Sequence, residues 1–146
     1  MIPALRRIAR AVSLTVAVGL AGCPKESSVW IVAGSTTARL EFGVSKHRGD
    51  TQGIHFNWLV VFTCESMRPG PVGTAWLLVP EDASSAPKPN RVIYGQPPPG
   101  WQSSAGPAIL TTGCYYVRVD GTGLAKFRVH DDGSVEELSL TYVDPH

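Results

Sequence analysis

Three cysteines and four histidines are the side chains of this 146-residue chain that could support the widest range of chemistry. A cysteine can be modified, form a disulfide or bind a metal, and histidine is the commonest metal ligand. The cysteines are Cys23, Cys64 and Cys114, and no two of them form a C-x-x-C pair. The histidines are also spaced too widely to place two ligands on one face of an element. The pattern therefore predicts no metal site and no cofactor.

Cys23 ends the run Leu20-Ala21-Gly22-Cys23 at the close of a short hydrophobic segment. Three arginines precede that segment, which extends from 11 to 21 and is shorter than the roughly 20 apolar residues that a membrane-spanning helix needs. A positive stretch, an apolar stretch and small residues before a cleavage site are the layout of a secretory signal. Together with the cysteine, this N-terminus resembles the signal peptide and lipobox of bacterial lipoproteins.

The resemblance implies a defined maturation of the chain. Cleavage would occur between Gly22 and Cys23, and the thiol of Cys23 would carry a diacylglyceryl group. A second acyl group on the new α-amine would make the anchoring stable, since one acyl chain holds a protein only marginally at a membrane. Lys25 is not the aspartate associated with inner-membrane retention in enteric bacteria, which favours the outer membrane, facing the periplasm or the cell surface. The alternatives are an ordinary signal peptide cut elsewhere and an amphipathic N-terminal helix that stays on the protein.

Composition after such cleavage fits one small domain. The signal would be a helix over 1–22 that contains three of the 13 basic residues and none of the 12 acidic ones, so the remaining 124 residues carry a net charge of −2. This charge offers no electrostatic basis for binding nucleic acid or anionic lipid. We expect a lipidated tether over 23–28, followed by a single domain over 29–146.

The other two cysteines, Cys64 and Cys114, are an even number in a chain whose N-terminus indicates export to an oxidising compartment. A disulfide between them would close a loop of about 50 residues, worth roughly 4 kcal/mol in the chain-entropy model. The alternative is two separate buried thiols. We expect a structural disulfide.

Short alternating segments predict an all-β fold. Leu40, Phe42 and Val44 alternate with polar neighbours, and the apolar run 58–64 is typical of a central strand covered on both faces. Further strands are expected within 29–32, 74–79, 91–94 and 114–119, and around 127–129 and 138–142. Fifteen glycines and twelve prolines argue against helices.

Seven to nine short strands separated by turns indicate a β-sandwich, which resembles immunoglobulin-like and transthyretin-like sandwiches in architecture only. A small closed β-barrel is the alternative. In the sandwich, Cys64 and Cys114 could link the two sheets, with Trp58 or Trp76 packed nearby.

The irregular stretch 96–107 contains the candidate binding loop, Pro97-Pro98-Pro99-Gly100-Trp101. Polyproline geometry is rigid, so an exposed Trp101 on this support would lose little conformational entropy on binding. A pocket lined by Trp101 and Tyr94 is one form such a site would take. The alternative is that the Trp101 indole folds back and covers one end of the sandwich.

Catalytic patterns are weak in the rest of the chain. The serine pairs lie in predicted loops without a G-x-S-x-G elbow, and Asp131-Asp132-Gly133 is typical of a hairpin turn. Arg48-Gly49-Asp50 spells a tripeptide that some host integrins recognise, although ordinary composition produces such tripeptides by chance.

We therefore expect a non-enzymatic lipoprotein of the cell envelope that serves as an interaction or structural accessory module. Its partners would be the membrane, through the lipid anchor, and an envelope protein. The alternative is an envelope lipoprotein that binds a small ligand or a metal.

Overall fold

The computed structural model describes residues 26–66 and 72–140. The expected signal peptide, its cleavage point and Cys23 lie outside the described residues. Residues 26–66 and 72–140 contain nine strands and one 3₁₀ turn over Cys64–Ser66. The strands are β1 Ser28–Ile31, β2 Glu41–Ser45, β3 Leu59–Thr63, β4 Thr74–Pro80, β5 Arg91–Ile93, β6 Trp101–Ala105, β7 Gly113–Val119, β8 Leu124–Val129 and β9 Val135–Leu138.

The strands form two antiparallel sheets, which confirms the predicted β-sandwich. A three-stranded sheet has the order β1-β2-β5, and a six-stranded sheet has the order β6-β4-β3-β7-β8-β9. β1 lies over β7 and β8, so the small sheet covers part of the large one. The two sheets are separate in the described ranges, unlike a closed barrel. No helix in these ranges is long and apolar enough to span a membrane.

The hydrophobic core lies between the sheets and follows the predicted alternation. β7 and β8 each direct alternate residues inward, and the inward Val117, Val119 and Phe127 are fully buried. β3 is buried on both faces, as its apolar sequence predicts. Its residue Val61 faces the core, whereas Phe62 faces the other side and stacks on Tyr116.

A row of three residues crosses the outer face of the small sheet. Trp30 in β1 pairs with Gly43 in β2, which pairs with Arg91 in β5. A Cβ at Gly43 would lie 2.0 Å from the Trp30 ring, so only glycine lets the indole lie flat across the strand. The Arg91 guanidinium lies 5.7 Å from the centre of that ring, at cation–π distance.

One strand was absent from the sequence prediction. β6 occupies part of the stretch expected to be irregular, and its residues after Trp101 are Gln-Ser-Ser-Ala, which show no apolar alternation. Backbone pairing with β4 forms this strand, a signal that side-chain patterns do not carry. The last strand, β9, covers Val135–Leu138, so it lies before the predicted segment 138–142 and overlaps it only at Leu138. Positions 139 and 140 are outside any strand, and 141–142 lie outside the described residues.

The disulfide between Cys64 and Cys114 is confirmed, with Cα atoms 5.4 Å apart. The prediction that this disulfide links the two sheets is wrong. β3 pairs antiparallel with β7, and Thr63 lies opposite Tyr115. The next position along this register brings Cys64 opposite Cys114. The bridge therefore joins neighbouring strands of one sheet, whereas the immunoglobulin bridge joins two sheets. Trp76 instead lies in the core on β4.

Replacing both bridged cysteines, Cys64→Ser with Cys114→Ser, should lower the free energy of unfolding by about 2–5 kcal/mol, because the reduced chain regains the loop entropy of the unfolded state. Urea denaturation would measure the loss, with Cys23→Ala as the matched control that keeps the bridge. Two free thiols in the unreduced wild-type protein, detected by alkylation and mass spectrometry, would contradict the assignment.

Candidate functional site

The structure buries Trp101, which the sequence singled out as a possible exposed anchor. The indole is only 3 % exposed. Its ring stacks on Phe56 with centroids 4.6 Å apart, and its Nε1 donates to the carbonyl of Pro87 at 3.2 Å. Of the two arrangements considered for this loop, the one in which the indole folds back onto the sandwich is therefore observed. The prolines before it bend the chain, with the Trp101 amide donating to the carbonyl of Pro98 at 3.0 Å.

Tyr94 is also used inside the fold. Its Oη lies 2.6 Å from the carbonyl oxygen of Ala108 and 3.3 Å from that of Ala75, so the hydroxyl connects the loop after β6 to β4. The pKa of Tyr94 is raised to about 12, mainly by burial and also by the neighbouring Tyr115, whereas the hydrogen bond to Ala108 lowers it. The phenol therefore stays protonated at neutral pH and acts as a donor.

Trp101 and Tyr94, the two residues expected to line a pocket, thus pack against different side chains. Tyr94 packs edge-on against Trp76 with ring centroids 5.3 Å apart, whereas Trp101 packs on Phe56. The part of the candidate loop that remains at the surface consists of Pro97 and Pro99, with Pro98 half-buried.

His130 and His47 each contact a nearby glutamate. His130 Nε2 lies 2.8 Å from Glu136 Oε2, and His47 Nδ1 lies 3.6 Å from Glu26 Oε1. Within 26–66 and 72–140, no three His, Cys, Asp or Glu side chains group closely enough to hold a metal.

Asp132 has the turn role that its sequence neighbours predict. Its Oδ1 accepts bonds from the Ser134 hydroxyl at 2.6 Å and amide at 2.9 Å, which lower the pKa of Asp132. Gly133 follows with φ of 83°, the left-handed conformation that favours glycine. This turn joins β8 to β9.

Arg48, in the Arg-Gly-Asp tripeptide, is held by Glu137 of β9. Nη2 of Arg48 donates to Glu137 Oε1 at 3.1 Å. The same carboxylate oxygen accepts a hydrogen bond from the backbone amide of Ile31 at 2.7 Å. Glu137 therefore connects the large sheet both to β1 and to the loop after β2. Recognition of the tripeptide by another protein would have to break this ion pair.

Ser27, which no sequence pattern marks, makes the contacts that hold the beginning of the domain. Its hydroxyl donates to the carbonyl of Asp120 at 3.0 Å and accepts the amide of Gly123 at 2.8 Å. Its backbone amide donates to the Thr122 hydroxyl at 3.1 Å, which donates back to the Ser27 carbonyl at 2.9 Å. We call these four bonds the Ser27 clamp. Ser27 and Ser28, which were expected in a tether over 23–28, thus belong to the sandwich.

A serine in a polar run carries no mark of such a role. The partners of Ser27 lie 93 to 96 positions away in the sequence, in the turn between β7 and β8. That turn was recognisable from Asp120-Gly121-Thr122-Gly123, but its closeness to the first strand depends on how the sheets stack.

The sequence also did not indicate strand β6, whose residues after Trp101 lie at the surface. It lies at the edge of the six-stranded sheet, where β4 is its neighbour. After Trp101 its four residues are exposed, and none of them is charged. Edge strands are usually protected by charge, proline or a bulge that turns the edge away, because their backbone groups can pair with another chain. The pairing with β4 does shift register near Leu78, but the outer edge has no charged side chain.

Comparison of the chain with protein-family models, with curated proteins and with solved structures gives no match.

Trp101→Ala should lower the free energy of unfolding by about 3–5 kcal/mol, because it removes a large buried side chain that joins two loops to the sandwich. The matched control is Ile109→Ala, since Ile109 is 91 % exposed and a surface change alters stability by about 0.5 kcal/mol at most. Thermal or urea unfolding followed by tryptophan fluorescence measures both. An unchanged midpoint for Trp101→Ala would show that the indole is not in the core.

Proposed function

We propose that this chain is a lipid-anchored protein of the bacterial cell envelope, whose sandwich serves as a non-enzymatic interaction or structural accessory module. The observation that carries the proposal is the use of the three cysteines. Cys64 and Cys114 form the disulfide, which leaves Cys23 as the remaining thiol, at the end of Leu20-Ala21-Gly22-Cys23. The disulfide itself supports an oxidising compartment such as the periplasm.

The position of Cys23 relative to the fold supports the same proposal. The first clamped residue, Ser27, is four positions after Cys23, and β1 begins at Ser28. Cleavage before Cys23 would remove none of the residues of the described sandwich, whose first clamped residue is Ser27 and whose first strand begins at Ser28. A lipid anchor at Cys23 would hold the sandwich close to a bilayer.

Cells that express the wild-type chain and are grown with labelled palmitate should incorporate the label, and Cys23→Ala should abolish incorporation because the acceptor thiol is gone. Ser28→Ala is the matched control, since it changes a nearby residue without removing a thiol. The mass of the purified protein should correspond to a chain that begins at Cys23. Undiminished labelling of Cys23→Ala, or a mature chain that retains its first 22 residues, would refute the lipid anchor.

The exposed edge of β6 supports an interaction role. An extended segment of a partner can add to an open sheet edge through backbone hydrogen bonds, with side-chain contacts supplying specificity. β6 offers five residues for such pairing, and its exposed side chains are small or polar and uncharged. An envelope protein that presents an extended segment is therefore the partner we propose.

Ser104→Lys should weaken association with that partner at least about tenfold, because a lysine on an edge strand opposes the approach of another strand. The measurement is photo-crosslinking in envelope membranes from a probe placed at Gln102, followed by identification of the linked protein. Ser84→Lys, an exposed loop serine, is the control and should leave the crosslink intact. Equal crosslinking by both lysine variants would remove β6 from the interface.

The alternative of a small-ligand or metal-binding lipoprotein loses the site that motivated it. Trp101 is packed on Phe56, and the Tyr94 hydroxyl is bound to two backbone carbonyls. A ligand at that position would have to displace contacts that hold the sandwich together. The interaction module is therefore the function that the geometry supports best.

A further inference from the structure

We infer that the Ser27 clamp determines which end of the sandwich faces the lipid surface. This inference rests on the proposed lipid anchor at Cys23. The end that contains the clamp, with the turn 120–123, is called the tether end. The opposite end, with the disulfide, is called the disulfide end.

The clamp is a buried contact made by several hydrogen bonds. Ser27 is 4 % exposed, and both its backbone groups and its hydroxyl are paired with the turn 120–123. A side chain at Gly123 would meet the Ser27 hydroxyl at 3.0 Å, so the close approach depends on glycine. The turn is held from the other side as well, because both carboxylate oxygens of Asp120 accept bonds from Asn57, at 2.9 and 3.0 Å.

The clamp shortens the free chain between anchor and domain. Only four peptide steps separate Cys23 from Ser27, a span of at most about 14 Å when fully extended. Without the clamp, Ser27 would join the free segment and lengthen the tether by about 3.5 Å, which lets the domain tilt further. β1 itself would stay paired with β2. With it, the tether end cannot move far from the depth at which the acyl chains enter the bilayer.

The strand directions place the other surfaces relative to this end. β7 and β8 are joined by the clamped turn and extend away from it, and a seven-residue strand such as β7 is about 23 Å long. The disulfide end is therefore about 20 Å farther from the lipid than the tether end. Two of the most exposed large apolar residues lie there: Val72, 88 % exposed just before β4, and Ile109, 91 % exposed in the loop after β6.

Charge at the tether end does not provide a competing explanation for this orientation. Glu26 lies 3.9 Å from Lys46 and 3.6 Å from His47, so acidic and basic groups are paired beside the clamp. A surface with paired charges of both signs has little attraction for anionic lipid. The orientation should therefore be the same on zwitterionic and anionic vesicles.

The test uses the lipidated full-length product in phosphatidylcholine vesicles that contain a lipid with a quencher on its headgroup. Leu124→Cys places a fluorophore beside the clamp, and Ile109→Cys places one at the disulfide end. The introduced thiol is the free one, because Cys64 and Cys114 are bridged and Cys23 carries the lipid. Quenching at 124 should exceed that at 109 by at least about twofold, since the two positions differ in height by about 20 Å.

Breaking the clamp with Ser27→Ala and Thr122→Val should lower the ratio of quenching at 124 to that at 109 below its wild-type value, because the longer tether permits more tilt. Ser35→Ala is the matched control, a buried serine that hydrogen-bonds at the disulfide end and should keep the wild-type ratio. If the clamp variant unfolds, a second variant replaces it: about eight Gly/Ser residues inserted between Glu26 and Ser27 lengthen the tether while the clamp stays intact, and should lower quenching at 124.

Equal quenching at 124 and 109 in the membrane-bound wild type would overturn the inference while leaving the lipid anchor in place. A clamp variant and an insertion variant that both keep the wild-type ratio would overturn it as well. Protein that carries no lipid and fails to float with the vesicles would refute the proposed anchor instead, and flotation reveals this before any quenching is measured.

Discussion

The pairing of β3 with β7 at the centre of the large sheet is the interaction on which the rest of the structure depends. It brings Val61 and Val117 together in the core, where both are fully buried. At one end it aligns Cys64 with Cys114 for the disulfide, and at the other it pairs Leu59 with Val119, directly before the clamped turn. One strand pair thus positions both the covalent link and the attachment of the first strand.

The aromatic side chains explain why the surface of this protein has few obvious binding features. Trp76, Trp101, Phe42 and Phe127 are buried, and Trp30 is covered by its own sheet and by Arg91. Stacked and edge-on ring pairs contribute beyond the area they bury, which favours this internal use. The surfaces that remain available for binding a partner are the backbone edge of β6 and the two ends of the sandwich.

Three kinds of contact hold the small sheet to the large one, and each is at a different place. Apolar side chains of β1 and β2 pack on β7 and β8, and Phe42 lies 6.1 Å from Phe127 between ring centres. Glu137 accepts the amide of Ile31 along one side, and the Ser27 clamp closes one end. Because the small sheet begins at Ser28, five positions after Cys23, these contacts would also transmit any pull from a lipid anchor to the large sheet.

The all-β class, most strands and the pairing of Cys64 with Cys114 follow from the sequence alone, because alternation, turn residues and an even number of cysteines are local or countable signals. The tertiary structure decided what those signals cannot encode. Burial of Trp101 depends on Phe56 and Pro87, β6 depends on the backbone of β4, and the Ser27 clamp depends on a turn more than 90 residues away. Each is a contact between segments that are distant in the sequence, so its energy arises only once the chain has brought them together.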